Sequence, residues 1–281
     1  MLQFFKPLSA VSLAVFSSLS FFPAKVQAQA QPDAAPQPTT MSAILGTHTD
    51  VSVGLGAGID QRYMGARDYR FEVLPTFTIS RGIFFADSIR GAGLQYQSAS
   101  GFYISQTLNY DLGRTDENDF FRPGSDNLRG MGDVKGTATS AITISQRITS
   151  WLSVNAQAEF GVDGHRRGNQ YQFGFESAVL QTGVDAITVD LDAKLGDGQY
   201  NQTYFGVTPS QAASSGFNRY TPGSGIYAYS LTASWTHTFD KHWSTQVVLT
   251  GTRYTNSVAN SPIVQEKGVN FRHIGAISFP A

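Results

Sequence analysis

The stretch IYAYSLTASWTHTF, residues 226–239, alternates without a break. Tyr227, Tyr229, Leu231, Ala233, Trp235, His237 and Phe239 fall on one face of an extended chain, and Ala228, Ser230, Thr232, Ser234, Thr236 and Thr238 on the other. Period two is the mark of a β-strand, and 14 residues is far beyond the roughly 5–6 usual in soluble sheets. The same split recurs at 186–195, where Ile187, Val189, Leu191, Ala193 and Leu195 oppose Thr188, Asp190, Asp192 and Lys194. It recurs at 152–162, with Leu152, Val154, Ala156, Ala158, Phe160 and Val162 against Ser153, Asn155, Gln157 and Glu159. What the apolar face meets decides the fold. A soluble sandwich hides its apolar faces against each other and turns charged faces to water, whereas here the polar face is mostly Ser, Thr, Asn and Gln. A transmembrane barrel inverts that arrangement, with apolar residues toward lipid and small polar ones toward the lumen. The expected fold is all-β, a closed antiparallel transmembrane β-barrel. Closure is required because each unpaired backbone group in hydrocarbon costs several kcal/mol.

Composition agrees. The 281 residues are 41% hydrophobic, 15% charged and 12% aromatic, with 28 glycines and no cysteine. A soluble domain carries about 25% charge, yet the mean hydropathy of −0.17 excludes a stack of apolar transmembrane helices. Abundant aromatics exclude a disordered polyelectrolyte. The missing cysteines exclude a disulfide scaffold and a thiolate metal site.

Residues 1–28 read as a secretory signal, with Lys6, an apolar run from Leu8 to Phe22, and Val26-Gln27-Ala28 as the cleavage pattern. That run is shorter than the roughly 20 residues a spanning helix needs. Residues 29–45 contain QAQPDAAPQPTT and are expected to form a flexible periplasmic leader, leaving 46–281 as the barrel. Without Lys6 and Lys25 the chain carries 18 basic and 21 acidic residues, net −3. No basic patch argues for nucleic acid.

Strands are expected at 51–59, 69–79, 82–87, 90–98, 101–111, 136–149, 151–162, 169–181, 184–195, 225–239, 242–255 and 268–279. Tight and long connections then alternate, as the two rims of an outer-membrane barrel require. The long connections are Leu112 to Lys135, Asp163 to Gly168, Gly196 to Ser224 and Asn256 to Lys267. Residues 82–98 could also be one long strand broken at Gly91 and Gly93, although that merger would put the 112–135 loop on the wrong side; ten strands is the alternative count. Tyr69, Phe102, Tyr110, Trp151, Tyr171, Phe239, Trp243 and Phe279 stand at strand ends, where aromatics gather at head-groups. Pro75 donates no backbone hydrogen bond, which predicts a bulge or local break.

Several residue sets resemble the MipA/OmpV family of outer-membrane proteins. They are Gly56-Ala57-Gly58 with Tyr63 and Gly65, Leu74-Pro75, Phe84-Phe85-Ala86, Arg90-Gly91-Ala92-Gly93 and Leu128-Arg129-Gly130-Met131-Gly132. The more specific pair is Tyr204-Phe205-Gly206-Val207 followed by Ser261-Pro262-Ile263-Val264. The resemblance covers nearly all of the chain after the signal. It implies a barrel in contact with outer-membrane lipid, in some members a scaffold joining a lytic transglycosylase to a murein synthase, in others a surface adhesin. It assigns no role to the eight residues of that pair. Here Phe279 is followed by Pro280-Ala281, where such barrels usually end on an aromatic.

Chemistry is sparse. His237, Asp240, His242 and Ser244 form the one dense cluster of catalytic types. A hydrolase would need nucleophile, base and acid within hydrogen-bond reach, whereas this cluster lies on an expected periplasmic turn. His48, His165 and His273 are scattered, so no metal site is expected, and Gly54 to Gly58 precedes no helix, so no cofactor-binding loop is expected either. Arg70, Glu72, Arg147, Glu159, Glu176, Asp190, Asp192 and Lys194 fall on the expected lumen face. They either fill a narrow barrel as an ion-pair network or line a small-solute channel; twelve strands lie between filled and open barrels. Phe120, Phe121, Tyr204, Phe205, Phe217 and Tyr220, in the two longest loops, are expected to pack inward as a plug.

Overall fold

The computed structural model describes residues 44–162 and 167–280. The signal, the leader up to residue 43 and His165 lie outside the described residues. Twelve strands follow in order: β1 (Asp50–Gln61), β2 (Tyr69–Arg81), β3 (Phe84–Asp87), β4 (Gly91–Gln97), β5 (Phe102–Asp111), β6 (Thr137–Arg147), β7 (Leu152–Gly161), β8 (Gln170–Gln181), β9 (Asp185–Gly196), β10 (Gly225–Thr238), β11 (Ser244–Tyr254) and β12 (Asn270–Pro280). Each pairs antiparallel with its neighbours in sequence, and β12 closes on β1. Residues 82–98 are therefore two strands turning at Ser88–Arg90, and the count is twelve, not ten.

The alternation sets what each face meets. Leu55, Val73, Phe175, Leu191, Leu231 and Ile277 point outward and exposed, the requirement for a lipid-facing wall. Their neighbours Thr76, Gln172, Asp192, Thr232 and Ser278 are buried inside, with Thr232 and Thr250 hydroxyls 3.1 Å apart across β10 and β11. Gly54 and Gly58 let β12 approach: a Cβ on Gly54 would sit 2.5 Å from the Ile277 carbonyl. The short turns, the start of β1 and the end of β12 share one rim, the periplasmic one by the brevity of its turns; the longer loops crown the other.

Two local expectations change. The β10 stretch does not alternate throughout: register shifts between Ile226 and Ala228 against β9, a bulge that inserts one extra residue. Tyr227 is thereby turned into the lumen, where it is buried, while Tyr229 and Leu231 keep the outward face. Pro75 produces no bulge, because β1 and β2 stay in register through Leu55↔Pro75. The Phe77 carbonyl accepts from the Ser88 N–H on the β3 side, so by alternation Pro75 directs its missing donor to that side and costs the β1 ladder nothing.

Candidate functional site

The outer mouth is closed by a plug. Loop 197–224 folds into two short helices, α1 (Gly198–Phe205) and α2 (Pro209–Ser215). The Asp197 carboxylate caps α1 by accepting from the Tyr200 N–H at 2.7 Å, and Thr208 with Gln211 forms a capping box on α2. A third turn, α3 (Asn256–Ala259), lies in the β11–β12 loop.

These loops bury two aromatic-rich clusters. Tyr200, Tyr204 and Phe205 of α1 pack with Tyr227, Tyr254, Val258 and Val264. The Tyr200 and Tyr227 rings stack at 5.6 Å, and Phe205, 0% exposed, lies 5.5 Å from Tyr227. Beside them Tyr63, Ala66, Leu128, Met131, Val207 and Ile263 form the second cluster, with Phe217 and Tyr220 against it. The Ser261 hydroxyl donates to the Phe205 carbonyl at 2.6 Å, Tyr63 to the Ile263 carbonyl at 3.0 Å, and the Gln211 amide to the Met131 carbonyl at 2.8 Å. Gly65, at φ 89°, brings its carbonyl to the Gln265 N–H at 2.8 Å. Tyr204 to Val207 and Ser261 to Val264, far apart in sequence, thus meet in one plug. Ser261→Ala is expected to cost about 1–3 kcal/mol, the range for stranding a buried acceptor, read as a lower urea midpoint in detergent. The inward-packing expectation holds for Tyr204, Phe205, Phe217 and Tyr220 and fails for Phe120 and Phe121. Those two rings stack edge to face on each other at 5.0 Å and are 66% and 73% exposed, on a turn fixed locally by Asp119, which accepts from the Phe121 and Arg122 N–H groups.

Charges anchor the plug to the wall. Arg167, 1% exposed at its side chain, pairs with Asp111 at 2.6 Å and with Glu159 at 2.8 Å, and its guanidinium lies 5.2 Å from the Tyr200 ring centre. The Tyr204 hydroxyl donates to Asp111 at 2.6 Å. Burial, reinforced by the Asp111 charge, pushes the Tyr204 phenol well above its ordinary value, so it stays protonated as the donor. Arg114 donates to the Tyr204 carbonyl at 2.8 Å, and burial pulls its guanidinium below the usual range.

The expected lumen charges separate into groups. Arg70 and Glu72 pair with each other, and Glu72 also faces Arg272 at 3.7 Å, which pairs with Asp60 at 3.2 Å. Glu159 belongs to the Arg167 group. Glu176 and Asp190 stand opposite each other on β8 and β9, and Asp192 accepts from the Gln172 amide at 2.7 Å. Lys194 is buried beneath Tyr227, in a cleft that also reaches Asp60 and Arg272. Arg147 departs from the set: it has the lumen-side parity but ends its strand exposed at the periplasmic rim. Asp60, Asp111, Arg167 and Arg272 were not singled out by the sequence, since nothing local marks the distant pairings of Asp60 with Arg272 and of Asp111 with Arg167.

The catalytic-type cluster is not a triad. Ser244 has its hydroxyl 3.2 Å from that of Ser278, and His237 is bonded to Asp185 at 2.8 Å rather than to Asp240. Asp240 accepts from the His242 backbone N–H at 2.6 Å. Among the described residues no group of three or more His, Cys, Asp or Glu could hold a metal ion.

A search of curated sequences gives no match. Similar solved structures include the NanC porin, 6% identical, covering 81% of this chain and 98% of that one with a TM-score of 0.44. The translocator domain of the autotransporter NalP from Neisseria meningitidis is 9% identical, over 83% and 88%, with a TM-score of 0.37. A bacterial polysaccharide outer membrane secretin is 8% identical, over 82% and 98%, also at 0.37. At such distances the fold is read from the chain's own strand pairing. The family described as MltA-interacting protein MipA matches residues 53–278, which runs from within β1 to within β12 and takes in both halves of the plug. This outer-membrane barrel belongs to the MipA family.

Proposed function

We propose that the chain is a non-enzymatic outer-membrane anchor that gathers a lytic transglycosylase and a murein synthase at its periplasmic rim. The observation that carries the reading is the plug. Motif segments that meet to close the outer mouth favour a fixed platform over a small-solute channel, and the separation of Ser244 from both His237 and His242 in hydrogen bonding speaks against a hydrolase. The family description supports the first partner.

The periplasmic rim offers Arg147, Asp240, Lys241 and His242, all exposed. On the same rim, beside the β2–β3 turn, the chain enters the barrel: the Ile44 carbonyl accepts from the Ile83 N–H at 3.1 Å, and the Leu45 carbonyl accepts from Arg81 at 3.1 Å. Residues 29–43 therefore lead into the rim beside the β2–β3 turn and add reach that the tight turns lack. Deleting 29–43 while keeping the signal is expected to abolish capture of both murein enzymes from cross-linked envelopes, with barrel assembly unchanged by heat-modifiable gel mobility. Undiminished capture would refute the leader's part, and absence of both enzymes from the intact chain's cross-links would refute the scaffold.

A further inference from the structure

β2 has thirteen residues and its neighbour β3 only four. Their ladder runs from Arg81↔Phe84 to Thr78↔Asp87 and ends with the Ser88 N–H on the Phe77 carbonyl. On the other side β4 follows β5 from Gln97↔Tyr103 to Ala92↔Leu108. At about 3.3 Å per residue, β3 covers about 13 Å of a β2 that is about 43 Å long. No pairing joins β2 directly to β5. The outer part of β2, residues 70–76, thus has no strand beside it on its β3 side, and the last residues of β5, 109–111, lie about three strand spacings away, about 14 Å, with Arg70 donating to the Arg122 carbonyl at 2.8 Å at the outer end. The wall has a notch in its outer half.

Three features of the notch point to one occupant. Its lips are apolar: Phe71 and Val73 on β2 and Tyr110 on β5, all exposed, with Phe77 and Leu108 exposed just below, where the hairpin still pairs. Its floor is apolar too. Ile89, at the tip of the β3–β4 hairpin, packs on Leu74 and Ile274, which belong to the lumen-facing, buried set in a wall otherwise lined mainly by hydroxyls, amides and charges. Its edge is built against another strand. Phe71, Val73 and Pro75 share the orientation of Phe77, so their backbone groups turn to the notch; Pro75 removes one donor there and interrupts any ladder an incoming strand would form.

We infer that an acyl chain of an outer-leaflet lipid occupies this notch and reaches Ile89, so the membrane meets the lumen side of the wall. The chain has no cysteine, so Ile89→Cys, Leu108→Cys and Ala213→Cys can each be spin-labelled singly in the full chain in liposomes. Collision with oxygen, which dissolves among acyl chains, is compared with collision with a water-soluble nickel chelate. The oxygen-to-nickel ratio at position 89 should match that at the lipid-facing position 108. It should exceed that at position 213, exposed on α2, by about fivefold or more, since hydrocarbon excludes the charged probe. A ratio like that of position 213, or a label sheltered from both probes, overturns the inference, as does a short label-to-label distance between two copies, which would put a second chain's edge in the notch. If Ile89→Cys does not assemble, Asn109→Cys on the opposite lip, whose native amide donates to the Ile89 carbonyl at 2.7 Å, is held to the same outcomes.

Discussion

Replacing Arg167 with methionine is expected to lower stability by about 3–5 kcal/mol, the cost of removing one partner from a buried ion group. The arginine holds two carboxylates that come from opposite ends of the structure's logic: Glu159 is wall, on β7, and Asp111 ends β5 where the plug begins. Without it both acids remain buried, and Asp111 keeps hydrogen bonds from the Tyr204 hydroxyl and the Gly113 N–H but loses the cation that offsets its charge. Methionine fills the stem's volume without the charge, so the loss reads electrostatics rather than packing. The check is urea unfolding of the detergent-folded chain by tryptophan fluorescence. A midpoint within error of the native one would show that the pairs carry no net stability.

Phe205→Ala should cost about as much, about 3–5 kcal/mol, by the transfer and cavity terms that follow truncation of a fully buried ring. Phe205 packs against Tyr227 and Tyr254 of the wall, so the cavity falls at the seam between plug and barrel. The expected signature differs from that of Arg167→Met: protease cleavage within 197–224 should appear while the barrel keeps its heat-modifiable gel shift. Loss of the whole barrel together with the plug would mean that the two fold as one unit.

The wall was largely legible from residue type. Alternation in 152–162, 186–195 and 226–239 gives strand identity and facing because lipid outside and polar lumen inside impose opposite chemistry on successive residues. What escaped was set by partners distant in sequence. Tyr227 turns inward because β10 carries an extra residue against β9, which no pattern within β10 reveals. Pro75 looked like a fault in the sheet, but its faulty side faces the short β3, whose brevity only the pairing discloses. Arg167 gave no signal, since its acids lie on β5 and β7. The plug was half visible: aromatics in the long loops invited inward packing, yet Phe120 and Phe121, of the same type in the same kind of loop, stay outside, on a turn fixed locally by Asp119.

Single-channel recording in planar bilayers addresses the account most directly. The intact chain should insert and give no discrete current steps, because the Tyr204–Val207 and Ser261–Val264 segments seal the mouth. A variant with 198–220 replaced by a short Gly-Ser linker should give steps at the same protein dose. Steady open steps from the intact chain would contradict the sealed barrel, and with it the case for a platform over a pore.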